Sequence, residues 1–178
     1  FTEEGKIAYT QFVLKNANHF PIKTFKDLPT DPLAGITSAL AKMQPGEGAV
    51  IQMIVSPTAS DWQSKAKSWL KKEKDPGKPE SPKPPPDAKQ LEAVESKIVK
   101  PGFDVALRVV TSSTSTEAAK AHLANLKAAF EQFTGPHNSF TAGKVRSEET
   151  FRDDFIYRYQ PRFIDPPVMT ADEIASVF

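Results

Sequence analysis

Three histidines, His19, His122 and His137, are the first residues to weigh for chemistry, and no two lie within four positions of each other. Metal sites need donors at short, fixed spacings such as H-x-H or H-E-x-x-H, because neighbouring side chains must converge on one ion. No such spacing occurs, so neither a metal nor a cofactor is expected. His122 falls on a mostly polar flank of a helical stretch and is expected to be solvated. His137, in GPHNSF, lies in a loop, where functional residues gather, yet no carboxylate or nucleophile accompanies it at a catalytic spacing. Gly143-Lys144 invites comparison with a phosphate loop. That loop needs a glycine five residues before its GK and a hydroxyl after it, and here Asn138 and Val145 stand in those places. No G-x-S-x-G elbow is present. Asp153 and Asp154 are adjacent, so in a strand they point to opposite faces and in a helix they diverge by about 100°. No catalytic residue is expected in this chain.

Two stretches are candidates for binding instead. WQSKAKSWLKKEK (62–74) sets Trp62, Ala66, Trp69 and Leu70 on one stripe and crowds Lys65, Lys67, Lys71, Lys72 and Lys74 around the rest. A basic amphipathic helix of this kind can lie on nucleic acid or an anionic membrane. The alternative is that the tryptophans pack inward and the lysines are simply wet, their stems covering apolar surface. KPGFDVALRV (100–109) is the second stretch, because RNA-recognition sheets carry aromatics on a similar strand. Phe103 fits that pattern, but Val105 stands where the second aromatic is needed, and Asp104, Ala106 and Arg108 offer nothing on which a base can stack.

These stretches must be positioned by secondary structure, and its punctuation is clear. YTQFVLK (9–15) is rich in β-branched and aromatic residues and predicts a strand. In DPLAGITSALAKMQPGEGAVIQMIV (31–55), Asp31 is an N-cap and Pro32 occupies the first helical position, where a missing N–H costs nothing. Leu33, Ile36, Leu40 and Met43 form one helical face, and Pro45, Gly46 and Gly48 end it. The apolar run AVIQMIV predicts a buried strand. GFDVALRVV (102–110) alternates as a half-buried strand. Ser115 caps a following helix on the amide of Ala118, with Ala119, Leu123, Leu126, Phe130 and Phe133 on one stripe and Gly135 at its close. A polar loop, a strand DFIYRYQ (154–160) and a terminal helix TADEIASVF capped by Thr170 complete the pattern.

The order strand–helix–strand, twice, predicts an α+β fold: a ferredoxin-like split β-α-β domain over residues 1–178, with an antiparallel sheet and helices on one face. Residues 60–100 form an insertion of two helices joined by a proline-rich arm (75–88) holding six of the sixteen prolines, too proline-rich for helix or interior strand. In the strand 49–55 both alternations are apolar, Ile51, Met53 and Val55 on one side and Val50 and Ile54 on the other. A sheet with one wet face does not need the second set. The inserted helices are expected to cover it, with a partner protein as the alternative occupant.

Composition limits the rest. The 178 residues are 39% hydrophobic and 10% aromatic, enough for a core, and carry 23 basic and 22 acidic side chains for a net charge of +1. So balanced a chain has no global field to steer a polyanion, and any basic surface must be local. Cysteine is absent, which excludes disulfides and fits a reducing compartment. No apolar run approaches the roughly 20 residues that span a bilayer. The sequence opens at Phe1 and stops at Phe178 inside a helical pattern, as a piece of a longer protein would.

Three stretches in order, DPLAGITSALAKMQPGEGAVIQMIVSPTASDWQSKA, VESKIVKPGFDVALRVVTSS and AHLANLKAAFEQFTGPHNSF, resemble the region preceding the motor in bacterial type IV secretion and conjugation ATPases of the HerA/FtsK-like superfamily. The shared features are the DPL helix start, the PGEGA turn, the tryptophan near the next helix, the KPGF strand and the AAFEQF helix end. In that family the ATP-hydrolysing residues lie in the motor, so no catalytic position carries over. The resemblance implies a non-catalytic accessory domain, cytoplasmic at the inner face of the membrane. Its partners would be its own motor, other protomers, the membrane transfer apparatus and, through the lysine helix, DNA. Val50, Ile54, Trp62 and Trp69 are the candidate partner-binding residues.

Overall fold

The computed structural model describes residues 5–29, 31–58, 61–75 and 87–177. Lys6–Leu14 forms β1, Pro32–Leu40 α1, Gly48–Pro57 β2, Trp62–Lys74 α2, Ala88–Ile98 α3, Gly102–Ser113 β3 and Thr116–Phe130 α4. Phe140–Ala142 is β4, Glu148–Ile156 α5, Val168–Thr170 β5 and Ala171–Val177 α6. The sheet is five-stranded and antiparallel in the order β2-β3-β1-β4, with β5 pairing the first residues of β3. With β1-α1-β2 and β3-α4-β4 as its halves, this is the split β-α-β arrangement expected from the sequence.

Local signals explain the helix starts. The Asp31 carboxylate accepts from the Leu33 N–H at 2.9 Å, and Ser115 Oγ accepts from the Ala118 N–H at 3.1 Å, satisfying amides that have no partner inside the helix. Both helices pack on one face of the sheet. There Phe12, Val105, Leu107 and Val109 meet Ile36, Ala39, Leu126 and Phe130, with Phe133, Phe140 and Met169 closing the core. Buried side chains of this size contribute roughly 1.5–3 kcal/mol each, which makes this cluster the main source of stability.

Two expectations about the elements are corrected. The stretch 154–160 is not a strand. Residues Glu148–Ile156 form α5, capped by Ser147 Oγ on the Thr150 N–H at 3.1 Å, and the chain turns at Arg158, where φ is 56°. The fourth strand is instead Phe140–Ala142, inside what reads as a polar loop. The helix wins because Phe151 and Phe155, one turn apart, both reach the sheet side: Phe151 stacks on Tyr9 at 4.2 Å between ring centroids and on Phe155 at 6.2 Å.

The second face of the sheet is therefore covered by α5 and not by the insertion. Helices α2 and α3 pack against each other, with Gln63 Nε2 donating to Ile98 O (2.8 Å) and Lys74 paired with Glu95. They form a separate small core, Trp62, Ala66, Leu70, Val94 and Ile98, which docks on Val168 at the end of the sheet. The central part of the proline-rich arm lies outside the described residues.

Three polar ties join distant parts of the chain. Lys97 of α3 and Glu173 of α6 form a buried ion pair, and the Glu173 carboxylate also accepts from the Ile22 and Thr170 amides. Asn138 accepts from the Asn16 N–H and donates to Phe20 O, stitching the chain before β4 to the loop after β1. His122 is not the solvated residue its polar flank suggests: its Nε2 lies 2.8 Å from Glu47 Oε2, and Glu47 also accepts from Ser113 Oγ.

Candidate functional site

The centre of the α5-covered face is a row of three polar residues in register across the sheet, Gln11 on β1, Arg108 on β3 and Gln52 on β2. Arg108 is fully buried. Its Nε donates to Gln11 Oε1 (3.1 Å), Nη1 to Gln52 Oε1 (3.0 Å) and Asp154 O (3.2 Å), and Nη2 to Tyr159 O (2.7 Å). The Asp154 carboxylate lies 3.9 Å from Nη2 and accepts from Arg162 Nε at 2.7 Å. Burial pushes the Arg108 pKa down, and Asp154 opposes that shift. The guanidinium meets the Asp154 carbonyl in the last turn of α5, where a helix dipole favours a cation. This network clamps α5 and the chain after it to the sheet. The Arg108 guanidinium and the Asp154 carboxylate are held within the network, which makes it a fastening, while Gln11 Nε2 is buried with no hydrogen-bond partner among the described residues.

On one side of the clamp, α5 leaves a gap of about 220 Å³ over the sheet, lined by Ile7, Tyr9, Val110, Phe151, Phe155 and Ile156 among others. On the other side lies β2, in which no residue is fully buried. Val50 is 40% and Val55 43% exposed, although a nine-residue run of neighbouring β3, residues 105–113, is closed from water. Ile54 is half-buried. Two of the four expected partner-binding residues thus meet at one sheet edge.

The other two go elsewhere. Trp62 is buried in the α2–α3 core, packed so closely on Gly102 that a Cβ there would lie 2.6 Å from its indole nitrogen. Trp69 is half-buried against Phe20 and His19. The tryptophans therefore fasten α2 to the sheet, as the inward-packing alternative expects. The lysines remain outside: Lys65, Lys67, Lys71, Lys72 and Lys74 are all exposed. Lys65 pairs with Asp61 at 2.9 Å and Lys74 with Glu95, whereas Lys67, Lys71 and Lys72 have no ion pair among the described residues.

Where the insertion meets the sheet there is an open cleft of about 370 Å³, lined by Asn18, His19, Trp62, Lys65, Asp104 and Asp165 among others. His19 is buried beside Phe20 and Trp69, and its Nε2 has no hydrogen-bond partner among the described residues. Burial, and then the nearby Lys97 charge, push its pKa down, so the ring is neutral at pH 7. The cleft mixes one cation with two carboxylates, and among the described residues no group of three or more His, Cys, Asp or Glu is placed to hold a metal.

The clamp was not legible as a site, although one signal pointed to it: Gln11, Gln52 and Arg108 are the polar residues in the middle of otherwise apolar strands. The Lys97–Glu173 tie had a signal as well, since T-A-D-E at 170–173 has the capping-box spacing that turns Glu173 back toward the helix start. No helix of the described residues is long and apolar enough to cross a membrane. No curated protein and no solved structure matches the chain. One family model does match, over residues 1–177, and the chain belongs to that family, described as Domain of unknown function (DUF8128).

Proposed function

We propose that this domain is a non-catalytic accessory module of a type IV secretion or conjugation-type ATPase, acting by contact with protein partners at the cytoplasmic face of the membrane. The observation that carries the contact role is β2: an apolar strand at a sheet edge, exposed at Val50 and Val55. An apolar strand at a sheet edge is a template for another chain, because its free main-chain groups can pair with a further strand. The link to an ATPase rests on the sequence resemblance, above all the DPL helix start, the PGEGA turn and the KPGF strand. The reading frame beyond Phe178 tests it first, where a Walker-type phosphate loop is expected. In the longer protein, removing residues 1–177 should leave ATP hydrolysis by the motor in place and impair assembly, docking or transfer. Intact assembly, docking and transfer after that removal would overturn the proposal.

A second reading is supported by one observation, the exposed Lys67, Lys71 and Lys72 on α2, which have no ion pair among the described residues and suit a polyanion such as single-stranded DNA. It predicts binding that weakens steeply with salt and is lost when the three lysines become glutamates. No binding at low salt would overturn it.

A further inference from the structure

The outer edge of β2 has a definite hydrogen-bonding pattern. The Val105 N–H donates to Pro167 O at 2.9 Å, so odd-numbered residues of β3 aim their main chain toward β1 and β5, and even-numbered ones toward β2. In register, Val110, Arg108 and Ala106 face Val50, Gln52 and Ile54, which bond inward to β3. The residues between them, Ala49, Ile51, Met53 and Val55, must then point their N–H and C=O groups away from the sheet. Among the described residues no strand pairs with this edge. The whole strand, GAVIQMIVSP, carries no charge, and its one proline is its last residue. Exposed edges in stable monomers are usually blunted by lysines, prolines or bulges, because free main-chain groups recruit another strand. This edge has none of these devices along residues 48–56.

We propose that the occupant of this edge is β2 of a second copy of the chain, paired antiparallel about a two-fold axis. Register follows from the outward groups: all four find partners only when Ile51 lies opposite Met53 and Ala49 opposite Val55. Val50 then lies across from Ile54 on the α5 side, and Gln52 across from its own counterpart. The two-fold fits because each strand is both the donor row and its complement, with no charge to be opposed by itself. The two five-stranded sheets become one, and the exposed Val50 and Val55 are covered. This inference deepens the accessory-module reading by naming the partner, and its structural basis is β2 alone.

The test is light scattering joined to hydrogen exchange on the 178-residue chain, from about 1 μM to about 500 μM, a range that brackets a small, transient interface. The expected result is a shift from one to two chains per particle. Amides of Ala49, Ile51, Met53 and Val55 should gain protection in step, while those of Val50, Gln52 and Ile54 stay protected throughout. Val50→Lys combined with Val55→Lys should return the chain to monomer with β3 amide protection unchanged. A monomer at every concentration overturns the proposal. So does a monomer whose four outward amides are already protected, which would mean that the chain covers its own edge. A dimer that leaves those amides unprotected, or that survives the double lysine variant, overturns it as well. The accessory reading fails separately, if the domain can be removed from the longer protein without consequence.

Discussion

Lys97 Nζ lies 3.0 Å from Glu173 Oε1 with both side chains almost closed from water, 3% and 2% exposed. The pair joins the inserted helix α3 to the terminal helix α6, 76 residues away, and it brings in the loop after β1 through the Ile22 amide. The insertion is thereby fixed to the end of the chain and not carried as a loose appendage. Removing the cation strands a buried carboxylate. Lys97→Met is expected to cost about 3–5 kcal/mol in urea unfolding, the usual range for breaking a buried pair from one side. Lys97→Met combined with Glu173→Gln should recover part of that loss, since it removes the stranded charge, although the single Gln oxygen can accept from only one of the Ile22 and Thr170 amides. Equal loss in the single and double variants would show that the pair is not the tie.

Arg108 supports a second prediction. Arg108→Leu takes the guanidinium donor from Tyr159 O, removes one of the two donors to Asp154 O, and leaves Asp154 with Arg162 as its remaining counter-charge. The loss should again be about 3–5 kcal/mol, and it should fall unevenly. Amides of α5 should lose exchange protection at denaturant concentrations where β3 and α4 remain protected. Uniform loss across the molecule would mean that α5 is held by its phenylalanines alone.

Glu47 sets an acid limit. Hydrogen bonds from the Gln44 amide, Ser113 and His122 hold its pKa down at about 2, against an ordinary 4.5. A carboxyl whose pKa is lower folded than unfolded adds stability that is present above 4.5 and is lost as the pH falls toward 2. Glu47→Gln should therefore lower the urea midpoint at pH 6 and change it little at pH 2. The difference between the two proteins should close between pH 4.5 and pH 2. A constant difference across that window would contradict this assignment.

Gly102 tests how the insertion docks. A Cβ at this position would come within 2.6 to 2.8 Å of the Trp62 indole and Val168 Cγ1. Gly102→Ala is expected to cost about 1–3 kcal/mol by overpacking. Because Trp62 is the buried tryptophan, its displacement should shift the folded protein's fluorescence to longer wavelength. Unchanged emission and stability would argue against the close approach.

What could be read from the sequence was mostly local. Asp31, Pro32 and Ser115 announce their helices because a cap acts over two or three residues, within reach of one side chain. Phe103 through Val109 announce a strand because alternation is a property of neighbours. The order of these elements then restricts the topology to one antiparallel arrangement. The stretch 154–160 failed for an equally physical reason: Phe155, Tyr157 and Tyr159 alternate as a strand would, while Phe151 and Phe155 are also one helical turn apart. Only contact with Tyr9 and the Arg108 clamp decides between the two periods.

Of the candidate surface residues, Val50 and Ile54 could be marked from the sequence because a doubly apolar strand is visible in one dimension. The inward turn of Trp62 and the pairing of Lys97 with Glu173 could not. Each depends on which segments far apart in the chain come to lie side by side, and burial, unlike capping or alternation, belongs to no single stretch. The chain by itself determined where most of its helices and its three long strands begin. The tertiary structure decided which apolar and charged groups were enclosed and which edge was left open, because those outcomes are set by packing across long sequence separations.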